Sequence, residues 1–318
     1  MSAPKQSKPP DWFKRAVATP FEDRFVKVAG CRIHYLRWGK DGRPGLLLVH
    51  GGYAHAHWWD FIAPFFAQHY CVAALDLSGM GDSGHRLKYS GPLFAKEVIE
   101  VCSDAGFAKR PVVVAHSFGA YVALQAAAIY GKELTGVMLV DFPFRPPKLQ
   151  QEFDSKRRPV KRKEVYPDLA TALSRFKLIP PQPCDNQFIL DYIARHSLAK
   201  VEGGWSWKFD DQLFNGFRAG NVAEDLAKAA CHVAAVYGQK SVLFPPETVQ
   251  YTAGLLESRG PLVSVPGVHH HLFLEQPFAF MDVVKSLLAQ WDGSSSSRGN
   301  DALLCSSEPS NAGKEAHG

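Results

Sequence analysis

The sequence predicts an α/β protein whose core is a mostly parallel, doubly wound sheet. Three observations lead to that reading. Short apolar runs alternate with stretches of helical character along most of the chain. The runs are continuous rather than alternating, as expected of strands covered on both faces. Nearly every run ends on polar residues, which matches sheets whose function gathers at the carboxyl ends of strands.

The elements follow in order. Phe25 to Leu36 alternates around Gly30 and reads as two strands joined by a turn. Leu46 to Val49 is a strand ending at His50-Gly51-Gly52, and Trp58, Trp59, Ile62, Phe65 and Phe66 then recur at helical spacing. Val72 to Leu75 is a strand ending at Asp76 and the loop Leu77 to Gly84. A helix over Leu93 to Ala105 precedes the strand that starts at Val112, and an alanine-rich helix, Ala120 to Tyr130, follows it. Val137 to Asp141 is the next strand. The pattern breaks at Phe142-Pro143-Phe144-Arg145-Pro146-Pro147 and resumes after about Asn221, with strands at Val233 to Tyr237 and Leu262 to Val265 and helices at Pro246 to Glu257 and Phe278 to Trp291.

This order divides the chain. Residues 21–143 and 221–291 form the sheet-and-helix core, and 144–220 are an insertion placed as a cap. Residues 1–20 read as a disordered or extended N-terminus. Residues 292–318 are rich in Ser, Gly, Asn and charge and read as a disordered tail.

Composition narrows the class. The chain has 318 residues, 46% hydrophobic and 21% charged, enough for a sizeable core. Part of the net charge of +5 lies in Lys156-Arg157-Arg158 and Lys161-Arg162-Lys163, which read as a solvated loop rather than a nucleic-acid surface. No apolar stretch reaches the roughly 20 residues of a membrane span, and the N-terminus lacks the apolar core of a signal peptide. Six scattered cysteines without pairing motifs point to reduced thiols and a cytoplasmic protein.

The chemistry centres on Ala115-His116-Ser117-Phe118-Gly119. An apolar strand stops at a serine with small residues two before and two after it, and a helix follows. That is the layout of a nucleophile elbow, although a serine opening a helix is also a common N-cap. Ala115 replaces the first glycine of the usual G-x-S-x-G. Taken with His50-Gly51-Gly52, the Asp76 to Gly84 loop and the segment His270 to Pro277, all in this order, the chain resembles the α/β-hydrolases that carry a helical cap. The likeness covers about Arg24 to Trp291.

The resemblance implies roles. Ser117 is the expected nucleophile. The family's G-H-x-x-x-x-E-x-P pattern, matched to Glu275-Gln276-Pro277, places the base at His270 and leaves His271 as its neighbour. The N–H groups of Gly52 and Phe118 are the expected oxyanion donors, with Gly51, Tyr53 and Trp207 as further substrate contacts and cap aromatics (Trp205, Phe209, Phe214, Phe217) as a pocket wall or the cap's own packing. The acid departs from the pattern, because Ser241 stands where G-x-x-D is usual. Asp141, Glu247 or no residue at all then serves as the acid. Asp76 and Asp82 read as structural. A metal site on the histidine run, shared with His55 and His57, is set aside because three consecutive side chains cannot easily converge on one ion.

The expected function is a serine hydrolase cleaving an ester or related acyl bond of an apolar small molecule, with no cofactor and no metal. The alternatives are carbon–carbon bond hydrolysis on the same fold, or a weakly active ligand-binding relative. Serine rather than aspartate at 117 argues against epoxide-hydrolase chemistry, which in look-alike relatives uses a carboxylate nucleophile.

Overall fold

A computed structural model describes residues 8–156, 162–215 and 217–301. The strands are β1 (Glu22–Val28), β2 (Cys31–Trp38), β3 (Gly45–Val49), β4 (Cys71–Leu75), β5 (Val112–His116), β6 (Gly136–Val140), β7 (Leu198–Val201), β8 (Gly204–Trp207), β9 (His232–Gly238) and β10 (Leu262–Val265). The helices are α1 (Asp11–Val17), α2 (Ala63–Phe66), α3 (Gly91–Asp104), α4 (Phe118–Tyr130), α5 (Pro147–Ser155), α6 (Leu169–Leu173), α7 (Gln187–His196), α8 (Val222–Lys228), α9 (Pro246–Leu256), α10 (Leu272–Glu275) and α11 (Pro277–Asp301).

Eight strands form one sheet in the order β1-β2-β4-β3-β5-β6-β9-β10. The six from β4 to β10 run parallel, and β2 is antiparallel to β4. β1 and β2 are joined by Ala29-Gly30, both at positive φ (45° and 81°), the geometry of a type I′ hairpin turn. The strands β3, β4, β5 and β6 are buried at every residue, because helices cover both faces. The two faces hold separate apolar clusters. One gathers Trp59, Phe273 and Phe280 beneath α11, and the other gathers Phe94, Tyr121 and Leu124 from α3 and α4. α4 is buried from Gly119 to Ala127, as suits a helix apolar on all sides.

Three elements differ from the sequence reading. Residues 11–17 form a helix rather than an extended segment, because Phe13 is buried against Phe61 and Phe188 and Trp12 packs on Phe278. The helical stretch after β3 is broken into a 3-10 turn (Ala56–Trp59) and α2; Pro64 sits in the first turn of α2 and Asp60 is tied to His57 and Tyr192. The helix predicted to end at Trp291 runs on to Asp301, so it enters the stretch read as a tail. The rest of that stretch, and residues 157–161 of the basic run, lie outside the described residues.

The segment between β6 and α8 is not helical alone. It holds α5, α6 and α7 and the hairpin β7–β8, which bridges to Tyr166. It returns to the core where Met80 bridges Phe209 and Lys208 pairs with Asp82. No helix among the described residues is long and apolar enough to cross a membrane. The five described cysteines form no disulfide.

Candidate active site

Ser117 follows β5 at φ 54°, ψ −117°, a conformation that side chains avoid and that costs on the order of 1–3 kcal/mol. This one residue turns the chain from strand to helix and lifts the hydroxyl clear of the sheet. It is no capping serine, since its side chain makes no cap hydrogen bond to α4. Neighbours hold the strain in place. The Ser117 N–H donates to Val140 O at 2.8 Å. Gly119 lets α4 begin directly against β3, where a Cβ would stand 2.3 Å from His50 O.

His270 approaches from the other side. Its Nε2 lies 3.1 Å from Ser117 Oγ, and its Nδ1 lies 2.8 Å from Asp141 Oδ1. A carboxylate only accepts, so Nδ1 carries the proton and the Nε2 lone pair faces the hydroxyl. The hairpin of residues that presents His270 is tied down by Glu275. Its carboxylate accepts from the His269 N–H at 2.8 Å, from His269 Nδ1 at 3.0 Å and from Gln182 Nε2 at 2.8 Å. The glutamate that marks His270 in the sequence is thus what shapes its loop.

Asp141 follows β6 at φ 49° and is fully buried. Besides His270, it accepts from Ser241 Oγ at 2.7 Å and from the Gly238 N–H at 2.8 Å. β6 and β9 are adjacent and parallel, which brings the turn after β9 over the end of β6. Ser241 therefore occupies the usual acid position and donates to the carboxylate that stands beside it. Glu247 is exposed in the first turn of α9, away from this network.

The glycines after β3 border the serine. A Cβ on Gly51 would lie 3.3 Å from Ser117 Cβ, and one on Gly52 would lie 3.7 Å from Phe118 Cβ. Phe118 opens α4, so its N–H is one of the four that a helix leaves without an internal acceptor. His50 braces this turn: it accepts from the Leu77 N–H at 3.1 Å, so its other nitrogen donates to Gly51 O at 2.7 Å. Tyr53, at φ 61°, points its N–H at Met80 Sδ and packs its ring on Phe209 and Phe214.

Among the cap aromatics the structure separates wall from packing. Phe214 reaches within 3.3 Å of the Gly52 Cβ position and packs with Phe118, as does Phe217. The ring of Trp207 packs inside the cap on Tyr166 and Phe176, because β8 pairs with β7 there. Trp205 lies in the same hairpin, bridged to Tyr166.

Sequence reasoning missed Gln182 and the full part played by His116. Gln182 Oε1 accepts from both the N–H and Nδ1 of His271 at 2.8 Å, latching the cap to the histidine loop. It sits in a proline-rich stretch with no signal of its own. His116, His270 and His271 form a compact ring cluster with centroids 4.6–5.2 Å apart. Burial, and then the neighbouring His270, hold His116 and His271 well below the ordinary histidine pKa. His55 and His57 lie apart from this cluster in their bonding, His55 to Ser197 Oγ and His57 to Asp60.

Asp76 is structural, as expected. Its two oxygens accept from the Ala56 N–H at 2.6 Å and the Asp82 N–H at 2.8 Å and pair with His34. Gly81 is required there, since a Cβ would strike the carboxylate.

A doubly wound sheet with an elbow serine facing a buried histidine–carboxylate pair defines a protein of the hydrolase class. The chain belongs to the alpha/beta hydrolase family, whose model matches residues 46–283. Over 121 residues it is 29% identical to human epoxide hydrolase 4, a stretch covering 37% of this chain and 33% of that protein. It is 33% identical over 124 residues to N-formylmaleamate deformylase of Pseudomonas putida, covering 38% of this chain and 46% of that enzyme. The chain thus spans less than half the length of these relatives. Among solved structures it is similar to a thioesterase domain from the curacin biosynthetic pathway (TM-score 0.69, 25% identity, 84% of this chain and 99% of that one). It shares its fold with an E-2-(acetamidomethylene)succinate hydrolase (TM-score 0.73, 18% identity, 85% of this chain and 100% of that one).

Proposed function

We propose that this chain is a serine hydrolase that cleaves an ester or related acyl bond of an apolar small molecule. The observation that carries the reading is the continuous hydrogen-bonded line from Ser117 Oγ through His270 to Asp141. In this account Ser117 Oγ attacks the acyl carbon while His270 Nε2 takes its proton. Asp141 holds the imidazole in the required tautomer and stabilises the imidazolium. The N–H groups of Phe118 and Gly52 receive the oxyanion. His270 then protonates the leaving alcohol, and water, activated by the same histidine, hydrolyses the acyl-enzyme. The apolar ring wall of Tyr53, Phe118, Phe214 and Phe217 favours an apolar acyl or alcohol part.

The epoxide-hydrolase names of several relatives do not carry over. A carboxylate that opens an epoxide forms an ester, which water can cleave. A serine would form an ether, which offers no acyl carbon for the second step. A carbon–carbon bond hydrolase remains a second reading, supported by 27% identity over 124 residues to 2-hydroxy-6-oxo-6-(2'-aminophenyl)hexa-2,4-dienoic acid hydrolase of Metapseudomonas resinovorans.

A panel of acyl esters and thioesters set beside a dienoate ketone tests the reading, with Ser117→Ala as control. Turnover of esters that vanishes in the variant is expected. Turnover of the ketone alone would reject ester hydrolysis in favour of carbon–carbon cleavage.

A further inference from the structure

We propose that His116, His270 and His271 form a binding site for one divalent transition-metal ion of the zinc class, whose occupancy withdraws His270 from Ser117. The withdrawal half rests on the reading of His270 as the base; the binding half does not.

The geometry is that of a ligand set. One ring nitrogen from each of the three histidines lies within 4.8 Å of the others, and all three residues are buried. Tetrahedral zinc with Zn–N bonds near 2.0–2.1 Å wants its nitrogens about 3.4 Å apart, so each ring would close by less than about 1 Å. The sequence alone does not bring this set together. It considers three consecutive histidines, whereas the fold leaves His269 on Glu275 and brings in His116 from the end of β5.

Hydrogen bonds select the nitrogens. His116 Nε2 lies 3.0 Å from His270 O, so it donates and leaves Nδ1 with the lone pair. His271 Nδ1 faces Gln182 Oε1 and His270 Nδ1 faces Asp141 Oδ1, so each carries its lone pair on Nε2, that of His270 facing Ser117 Oγ at 3.1 Å. A backbone carbonyl, an amide and a carboxylate are the partners that orient metal-binding imidazoles from behind. His116 supplies the independent sign. Its Nδ1 is buried with no hydrogen-bond partner among the described residues, although the residue is only 2% exposed. A buried acceptor left open in this way calls for an unseen water or ion. Three neutral imidazoles suit zinc, copper or nickel rather than calcium or magnesium.

The other candidate cluster, His34 with Asp76 and Asp82, lacks this openness, because the Asp76 oxygens already accept from Ala56, Asp82 and His34. At the three-histidine cluster the effect on chemistry is a competition for one lone pair. When His270 Nε2 binds the ion, it cannot accept the Ser117 proton, and no covalent bond changes.

The test titrates Zn2+ into untagged, chelator-treated full-length protein in competition with a chromophoric zinc indicator. One Zn2+ per chain at micromolar affinity or tighter is expected, and Ser117→Ala should retain it. Gln182→Leu, which removes only the support of His271, should weaken it by about 10- to 100-fold. His116→Phe and His271→Phe should weaken it further. Should a variant fail to fold, Co2+ added to the wild-type protein reads the site directly: a tetrahedral visible spectrum is expected, and an octahedral one overturns the proposal. No zinc binding by the wild type, or binding by the folded Gln182, His116 and His271 variants equal to that of the wild type, also overturns it. Ester turnover separates the two readings. Zinc inhibition reversed by EDTA supports both. Zinc binding without any esterase activity removes only the serine-hydrolase reading, and esterase activity without zinc binding removes only the metal site.

Discussion

The Ser241 hydroxyl donates a 2.7 Å hydrogen bond to Asp141 Oδ1, the same oxygen that faces His270 Nδ1. The two residues follow neighbouring parallel strands, β6 and β9, whose ends lie side by side. Asp141 and the residue at the family's usual acid position are therefore in contact. Asp141→Asn should lower kcat/KM by about ten-thousandfold, the scale seen when the imidazole loses its carboxylate. Ser241→Ala, which removes one donor, should cost no more than about tenfold. The double variant Asp141→Asn with Ser241→Asp should recover part of the loss, because the carboxylate returns from the adjacent strand end. Steady-state kinetics on the three proteins check this.

The site was legible where chemistry and local backbone coincide. A β-branched run ending at Ser117 between small residues marks the elbow, and the distance from His270 to Glu275 marks the histidine loop. The acid was legible only as a choice, since whether Asp141 or Glu247 reaches His270 depends on strand order. Long-range packing hid the rest. Trp12 and Phe13 lie in a polar, proline-bearing stretch, and it is contacts with distant rings such as Phe61, Phe188 and Phe278 that bury this helix. Trp207 and Phe214 are both aromatic cap residues seven positions apart. The pairing of β7 with β8 turns one into cap packing, while the other falls beside Gly52.

Gly119→Ala tests the close approach of α4 to β3. Its Cβ would meet His50 O at 2.3 Å and Val49 O at 2.9 Å, both backbone atoms that cannot swing aside. A loss of about 1–3 kcal/mol in denaturant unfolding is expected. Activity should fall by more than that loss implies for a folded enzyme, since the shift moves the Phe118 N–H.

The strain at Ser117 has a readout of its own. Ser117→Ala keeps the positive φ and removes only the hydroxyl, whereas Ser117→Gly also relieves the backbone. Both should be inactive, and the glycine variant should be the more stable by about 1 kcal/mol. Thermal melting of the two side by side measures the difference.

The pair His34–Asp76, 2.6 Å apart in the core, makes stability depend on pH. Burial lowers the His34 pKa, but the hydrogen bond and charge of Asp76, with Asp23 and Asp82, outweigh it and hold the group above its ordinary 6.5. The resulting stability is complete below that value and is lost as pH rises through the folded pKa. Burial raises Asp76, but His34, His50 and His55 outweigh it and hold it well below 3.8, so its contribution is present above 3.8 and is lost only as pH falls through the lower folded value. The stability margin of the wild type over His34→Gln should be largest in mild acid and shrink as pH rises above 6.5, read as the difference between the two melting temperatures.

Arg86 and Glu97 brace the loop that follows β4. The buried Glu97 carboxylate pairs with the guanidinium at 2.9–3.0 Å and accepts from the Ser78 N–H at 2.9 Å. Arg86→Ala strands that carboxylate and should cost about 3–5 kcal/mol, whereas the double replacement Arg86→Met with Glu97→Gln should cost much less. Urea unfolding of both variants checks the contrast.

The most direct test of the account is active-site labelling with a fluorophosphonate probe, read by mass spectrometry of the modified peptide. A hydroxyl activated by His270 should be phosphonylated at Ser117 in stoichiometric amount, with labelling lost in Ser117→Ala and slowed strongly in His270→Ala. An intact wild-type protein that takes up no probe at Ser117, or labels as fast without His270, would contradict it.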